Sequence, residues 1–302
     1  MIIAVTGGTG FVGQSVLEEA VRRGIAVRAL TRRSQTPTDG ITWVSGDLQD
    51  KAALSELVRG VDAVLHIAGV VNAPDKAGFM AGNVEGTRNV CDAARDAGVS
   101  RIAHVSSLAA REPGLSNYGY SKRMAEEVVQ VSGLDWTIVR PPAVYGPRDT
   151  EIFEVFKAAR WRFVPMPPSG RASIIHVTDL ARLLLAVLDP ASDTFGRIFE
   201  PDDGTQNGWA HTDFARAIGR SMDKNVWAPN VPSFLLRAAA KADRLLRGSK
   251  AKLTPDRASY MAHPDWVSAP ERAVPKALWQ PEVTAREGLA QTAKWYADNG
   301  WL

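Results

Sequence analysis

The 302-residue chain has one cysteine, little net charge and no long hydrophobic run, and each absence excludes a class of protein. The single cysteine, Cys91, excludes an internal disulfide and fits a reducing compartment. A formal net charge of +3 is too small to indicate nucleic-acid binding. No apolar run approaches the ~20 residues of a membrane span, and a first strand at residue 2 leaves no room for a signal peptide. We therefore expect a cytoplasmic protein with a small-molecule partner, and the sequence leaves open whether it is a monomer or a homodimer.

A glycine-rich stretch at residues 5–13 lies between a short apolar segment and a segment with apolar residues at helical spacing. This order predicts a buried strand, a tight turn and a helix. The stretch contains both Gly8-x-Gly10-x-x-Gly13 and Gly7-x-x-Gly10-x-x-Gly13. Glycines at such a turn let backbone N–H groups approach a pyrophosphate at the helix N-terminus. The stretch predicts a dinucleotide site, and a purely structural turn is the alternative.

The residues after the second predicted strand, 26–30, indicate which dinucleotide binds. NAD sites place an Asp or Glu about 20 residues after the glycines, where it binds the ribose hydroxyls. Arg32 stands at this distance, followed by Arg33, with no acid beside them. A carboxylate repels a 2′-phosphate, whereas a guanidinium binds one bidentately. We expect NADP(H), with NAD(H) as the alternative; two solvated arginines in a loop would be the bland interpretation.

Strand and helix alternate five times up to residue 131, with further strands predicted at 42–44, 62–69 and 101–107. The alternation predicts an α/β fold with a Rossmann-type doubly wound parallel sheet. Asp47 follows the third strand, where a carboxylate could accept the adenine amino group. Ala68 and Gly69 follow the apolar core of the fourth strand, where a bulky side chain would block the cofactor. We interpret His66 as a packed or cofactor-lining residue, with a catalytic role as the alternative.

Hydroxyl and amine groups follow the fifth predicted strand, at the sheet edge where open α/β folds bind their ligands. Ser106 and Ser107 end that strand, and Tyr118 and Lys122 share one face of the next helix. A tyrosine with a pKa near ~10 is a poor base at neutral pH. A nearby ammonium lowers that pKa, and a serine can hold the substrate oxygen against the tyrosine. Taken alone, Tyr-x-x-x-Lys is common on surface helices.

The alternation weakens after residue 147, which predicts a smaller, discontinuous C-terminal lobe. We expect a dinucleotide-binding domain at 1–147, partly rejoined by residues 172–201, and a substrate-binding lobe at 148–302. Helices are predicted at 151–160, 178–188, 232–247 and 284–299, and a strand at 196–200. The 232–247 segment is basic and amphipathic. We interpret it as a packing helix, and a membrane-surface helix or a cover for an apolar substrate is the alternative.

Several segments occur in an order that resembles one family. They are Thr6 to Gly13, Gly46-Asp47-Leu48, Ser107, Tyr118-x-x-x-Lys122, Arg140 to Pro147 and Ile175 to Ala181. Together they resemble the extended short-chain dehydrogenase/reductase family, of the NAD(P)-dependent epimerase/dehydratase type. The resemblance covers nearly the whole chain and is weakest at about residues 205–275.

The resemblance implies Ser107, Tyr118 and Lys122 as catalytic residues, with Lys122 also binding the nicotinamide ribose. Ser106 is the alternative serine. No metal site is expected. The expected cofactor contacts are Gly7, Gly10, Phe11, Val12, Gly13, Arg32, Asp47, Leu48, Ala68, Gly69, Tyr118, Lys122, Pro141 and Val144.

The expected activity is NADP-dependent hydride transfer between nicotinamide and a small organic carbonyl or secondary alcohol, with Tyr118 as general acid/base. One alternative is a nucleotide-sugar epimerase or dehydratase with retained NAD. Against it, Arg32 replaces the acid, and the family's diphosphate-binding arginine position is Ala172, with Arg171 one place away. A second alternative is a non-catalytic NADP-binding sensor or subunit, whose relatives typically lose the tyrosine or the lysine.

Overall fold

The computed structural model describes residues 1–248 and 254–302, and for residues 237, 239, 244, 246 and 247 it describes the backbone alone. The strands are β1 (Ile2–Thr6), β2 (Ala26–Thr31), β3 (Ile41–Ser45), β4 (Ala63–His66), β5 (Arg101–Val105), β6 (Asp135–Val139), β7 (Ala143–Tyr145), β8 (Arg171–Ala172), β9 (Ile174–His176), β10 (Arg197–Phe199), β11 (Trp209–Ala210) and β12 (Asp265–Trp266). The α-helices are α1 (Phe11–Arg22), α2 (Lys51–Val58), α3 (Lys76–Phe79), α4 (Gly86–Asp96), α5 (Asn117–Gln130), α6 (Phe153–Arg160), α7 (Val177–Ala186), α8 (His211–Arg220), α9 (Ser233–Arg247), α10 (Pro255–Met261) and α11 (Ala285–Asp298).

The chain folds into two compact units. The first contains residues 1–141, 178–201 and 271–280, and the second contains residues 142–177, 202–270 and 281–302. The first unit is built on a seven-stranded sheet with the order β10-β6-β5-β4-β1-β2-β3. All six strand pairs are parallel. This topology confirms the predicted doubly wound parallel sheet.

The centre of this sheet is apolar because its strands are covered on both faces. β4 and β5 are buried along their whole length. Leu54 and Leu57 of α2 and Val90 of α4 pack with Ile102 and Ile138 of the sheet in one core cluster. Cys91 of α4 belongs to the same cluster, and burial raises its thiol pKa to about 12. The helices thereby fix the carboxyl ends of the strands, where the candidate site lies.

Two features of the first unit were not predicted from the sequence. β6 was not identified in the sequence, and it lies between β5 and β10. The helical segment between β4 and β5 is divided into a π-helical turn, Met80–Glu85, and α4. Within the segment expected to return to the sheet, Arg197–Phe199 pairs with β6, whereas β8 and β9 pair with strands of the second unit.

The second unit has a three-stranded sheet, β11-β8-β12, and a two-stranded sheet, β7-β9. Its core contains Phe156 of α6, Phe214 of α8, and Leu289 and Tyr296 of α11. The α9 helix forms near its predicted bounds, but the side chains of Arg237, Arg244 and Arg247, which contribute its basic face, lie outside the described residues. None of the described helices is long and apolar enough to cross a membrane.

Candidate active site

The glycine turn between β1 and α1 has space only for backbone. The Gly10 N–H donates to the Gly7 carbonyl at 3.0 Å, and Gly7 has a φ of +75°. A Cβ at Gly13 would lie 2.0 Å from the Gly7 oxygen, and a Cβ at Gly7 would lie 2.7 Å from the Ala68 nitrogen. The first turn of α1 contains no acidic residue, and Phe11 and Val12 are its first two residues. These features suit an anion at the helix N-terminus.

A cavity of about 880 Å³ lies beside this turn. Its lining includes Gly8 and Thr9 of the turn, Arg32 and Arg33 after β2, and Glu18 of α1. The Thr31 hydroxyl donates to the Arg33 carbonyl at 2.7 Å, which fixes the loop that carries both arginines. Two exposed guanidinium groups thus line the same cavity as one glycine of the turn, and this combination suits an anionic ligand.

The loops after β3 and β4 contain the other residues expected near the adenine and the nicotinamide. Asp47 is exposed, and its carboxylate accepts the Gln49 N–H at 2.8 Å. A Cβ at Gly86 would lie 2.7 Å from the Leu48 side chain, so Leu48 packs directly on the Gly86 backbone. The Ala68 N–H donates to the Thr6 hydroxyl at 3.3 Å. The three loops that follow β1, β3 and β4 thus meet the same end of the sheet.

Lys122 is buried at the carboxyl end of β5. Its ammonium donates to the Val105 carbonyl at 2.7 Å. Burial lowers its pKa to about 8, and the negative charge of Glu126 opposes that shift. A Cβ at Gly69 would lie 3.6 Å from the Lys122 nitrogen, so a glycine after β4 keeps the space beside the ammonium open.

Tyr118 and Ser107 are carried by two segments in direct contact. Ser107 is the N-cap of a short 3₁₀ helix, Leu108–Arg111, and its hydroxyl accepts the Ala109 N–H at 3.2 Å. A Cβ at Gly119 would lie 2.6 Å from the Ala109 carbonyl, so the first turn of α5 packs directly on that helix. Tyr118 is half-buried in this turn, with its ring 6.2 Å from that of Phe79.

The two serines after β5 have different surroundings. Ser106 is 5% exposed, and its hydroxyl donates to the Glu126 carboxylate at 2.5 Å. Ser107 is partly exposed. Because the Ser106 hydroxyl already donates its single hydrogen to a buried carboxylate, it cannot also donate to a ligand, so Ser107 is the better candidate.

Two buried polar residues near the candidate site, Asn83 and Arg140, have structural roles that the sequence did not predict. Asn83 of the π-helical turn accepts the Val70 N–H at 2.6 Å and donates to the Ser121 hydroxyl at 2.9 Å, which ties the loop after β4 to α5. Arg140 donates two hydrogen bonds to Glu126, at 2.8 and 2.6 Å, and lies 3.2 Å from Glu200. In the sequence, Arg140 belongs to the segment Arg140 to Pro147 that carries the family resemblance, but this segment does not indicate that Arg140 pairs with Glu126.

The remaining expected residues have structural partners. The Pro141 carbonyl accepts the Leu108 N–H at 3.1 Å, and Val144 lies on β7 in the second unit, opposite Ile175. His66 is fully buried between the hydroxyls of Thr6, at 2.6 Å, and Thr87, at 2.9 Å. This surrounding agrees with a packed histidine.

No group of three or more His, Cys, Asp or Glu side chains that could hold a metal ion occurs among the described residues.

Comparisons with known proteins show which family the chain is similar to. Residues 7–190 match a family model described as NAD(P)H-binding. The chain is 34% identical to a ceramide reductase of Caulobacter vibrioides, over 100% of this chain and 96% of that protein. It is 24% identical to a UDP-glucose 4-epimerase of Vibrio cholerae, over 97% and 94% of the two chains. The solved structure of MoeE5 in complex with UDP-glucose and NAD has the same fold, with a TM-score of 0.76 and 20% identity over 99% of both chains.

The chain therefore belongs to the NAD(P)H-binding short-chain dehydrogenase/reductase family of the epimerase/dehydratase type. It is an NAD(P)-dependent enzyme of that family, as its reductase and epimerase relatives are.

Proposed function

We propose that the protein is an NADPH-dependent reductase that converts a ketone on a long-chain amphiphilic substrate to a secondary alcohol. The observation that carries the proposal is Lys122, a buried ammonium bonded to the Val105 carbonyl and one helical turn after Tyr118. The full-length similarity to a ceramide reductase supports both the reaction and the substrate class. The cofactor choice is supported by Arg32 and Arg33 in the cavity beside the glycine turn.

In this proposal, the reduced nicotinamide supplies a hydride to the carbonyl carbon when the cofactor is bound. Ser107 donates a hydrogen bond to the carbonyl oxygen and orients it. Tyr118 transfers its phenolic proton to that oxygen as the carbonyl π bond opens. The Lys122 ammonium stabilises the phenolate that remains. The products are a secondary alcohol and the oxidised cofactor, and solvent restores the tyrosine proton.

The second unit, which contains residues 148–177, 202–270 and 281–302 of the predicted lobe, is proposed to bind the substrate. Within it, Arg171 donates to the Asn207 carbonyl at 2.5 Å and to the Gly208 carbonyl at 2.7 Å. An arginine used in this way is a poor candidate for binding a sugar-nucleotide diphosphate. Together with Arg32, this observation favours a reductase over an epimerase.

Tyr118→Phe tests the mechanism, because it removes only the hydroxyl. We expect the rate of NADPH oxidation with a competent ketone to fall by a factor of roughly 100 or more, with NADPH affinity retained. The panel should contain a long-chain keto-amide, a short ketone, and UDP-glucose with NAD as the epimerase arm.

Tyr120→Phe is the matched control, two residues further along the same helix. The Tyr120 ring lies 3.9 Å from the Lys76 ammonium, which gives it a partner outside the proposed chemistry. We expect this variant to retain the wild-type rate. Equal rates for Tyr118→Phe and the wild type would overturn the mechanism, and turnover of UDP-glucose alone would favour the epimerase. A protein that binds NADPH but turns over no member of the panel would favour the sensor.

A further inference from the structure

Two short extended segments of the second unit run side by side, and both the inward-facing and the outward-facing side chains of this pair include apolar residues. Residues 163–166 run parallel to residues 227–230, joined by bridges between Phe163 and Trp227 and between Met166 and Asn230. Val164, Met166 and Ala228 turn inward and are 2%, 8% and 3% exposed. They belong to the core cluster of this unit. The alternation of a strand then directs the remaining side chains outward, where polar residues are the rule.

The outward side chains here are aromatic. Phe163 is 45% exposed and Trp227 is 69% exposed, and their ring centroids lie 5.2 Å apart. Trp161, two residues before Phe163, is 84% exposed. Arg162 between them has a φ of +59°, where the chain leaves α6 and enters the ladder. A single exposed apolar residue needs no explanation, but three exposed aromatic side chains on adjoining segments are unusual for a surface that contacts only water.

The chain around these rings is basic. Arg160 and Arg162 are exposed, and so is Arg220 at the end of α8. The Lys224 ammonium donates to the Arg160 carbonyl at 3.2 Å, so the two basic segments adjoin. Within residues 160–163 and 220–227, Asp223 is the single acidic residue against four Lys and Arg residues.

We propose that this aromatic–basic surface, Trp161, Phe163 and Trp227 with Arg160, Arg162 and Lys224, docks on a bilayer that contains anionic lipids. Tryptophan prefers the membrane–water interface, because its apolar ring can enter the membrane there while its N–H stays hydrated. Lysine and arginine near the surface are attracted to anionic headgroups. A two-fold dimer through the same surface would place these cations against their own copies, which disfavours a second chain as the occupant.

The docking proposal does not use the reductase reaction. Vesicle binding and ketone turnover therefore test the two proposals separately.

The test is flotation of the full-length protein with vesicles of phosphatidylcholine alone or of equal parts of phosphatidylcholine and phosphatidylglycerol. We expect binding to the anionic vesicles, weakened by salt. The triple variant Trp161→Ser, Phe163→Ser, Trp227→Ser should lower the partition coefficient about tenfold or more. Val131→Ser is the control, because Val131 is 82% exposed at the end of α5 in the first unit. It should bind as the wild type does.

The charge component has its own pair of variants. Arg160→Gln with Lys224→Gln should lower binding to anionic vesicles, whereas Lys51→Gln, an exposed lysine at the start of α2, should not. Thermal unfolding and NADPH titration report whether each variant is folded. If the triple variant unfolds, Trp161→Ser alone is measured. Any of three results would overturn the proposal. They are a protein that does not bind anionic vesicles, aromatic variants that bind them as the wild type does, and a dimer that the variants dissociate and that shows no vesicle binding.

Discussion

Lys122 combines two properties that a buried amine rarely has together. Burial disfavours its charged form, and the resulting pKa of about 8 still leaves the ammonium in the majority at neutral pH. The Val105 carbonyl accepts from it at 2.7 Å, at the end of a strand whose position is fixed by both neighbours. A lysine held in this way has a fixed position, which is what the role proposed for it requires.

Arg32 gives the first prediction at this scale. If its guanidinium binds the 2′-phosphate, the wild-type protein binds NADPH more tightly than NADH, and Arg32→Asp reverses or removes that preference. Loss of one charge-assisted contact costs on the order of 1.5–3 kcal/mol. Fluorescence titration with both cofactors measures the change. Arg59→Asp is the control, since Arg59 is exposed after α2 and does not line the cavity. Equal affinities of the wild type for both cofactors would contradict the assignment.

At the scale of elements, α5 connects the candidate chemistry to the sheet. One face carries Tyr118 and Lys122, and one turn later Glu126 accepts from Ser106 at 2.5 Å and from Arg140 at 2.6 Å. Arg140 follows β6 and also lies 3.2 Å from Glu200 after β10. Ser106, Glu126, Arg140 and Glu200 are 0–5% exposed, so each buried charge is stabilised by its partner and not by water. The network holds α5 against β5 and β6 and thereby sets the position of the lysine.

Two adjacent glutamates on α5 make a matched test of this network. Glu126→Gln leaves Arg140 with a weaker partner in a buried site, and we expect unfolding in urea to report a loss of about 3–5 kcal/mol. Glu127→Gln removes a partner of Arg123. The side chains of Glu127 and Arg123 are 48% and 42% exposed, so this variant should lose less than about 1 kcal/mol of stability. Glu126→Gln should also lower the Lys122 pKa further, because Glu126 favours the ammonium. Similar losses for both variants would show that the buried network is not a distinct contributor.

The elements also show how far the sequence can predict this protein. β1, the glycine turn, the doubly wound sheet and the helix at α5 follow from local patterns, since apolar runs and glycine spacing are local signals. β6 begins with Asp135, and its burial comes from β5 and β10, which are distant in sequence. The pairing of Glu126 with Arg140 is equally non-local, since a charged residue in a helix is normally interpreted as exposed. The π-helical turn at residues 80–85 contains Asn83, whose partners Val70 and Ser121 are likewise not indicated by the local sequence.

For the whole molecule, the buried histidines determine how stability responds to acid. His66 and His104 pair in register on β4 and β5, and their rings stack at 5.2 Å. Burial, with a contribution from the Lys122 charge, lowers the His66 pKa to about 3 and holds the His104 pKa well below its usual value. Neither ring nitrogen of His104 has a hydrogen-bond partner in the part of the chain that the structure describes. Both rings are therefore neutral in the folded protein.

Because these folded-state pKa values lie below the free value of about 6.5, the unfolded chain binds more protons in acid. The histidines thus contribute stability that is fully present above about pH 6.5 and is lost as the pH falls toward the folded-state values. Asp149, in the second unit, acts in the opposite sense, because burial raises its pKa to about 6. A comparison between variants therefore isolates the histidine contribution better than one titration does.

His104→Leu removes one buried titrating ring and keeps an apolar side chain between the neighbouring strands. We expect the free energy of unfolding, measured in urea from about pH 7 to about pH 4, to fall less steeply for this variant than for the wild type. Ile102→Leu is the control, because Ile102 is a fully buried apolar residue on the same strand; it changes the packing but removes no titrating group, and it should retain the wild-type slope. A His104→Leu slope equal to that of the wild type would mean that His104 is not held neutral by the fold. In that case the acid sensitivity of the fold must come from other groups.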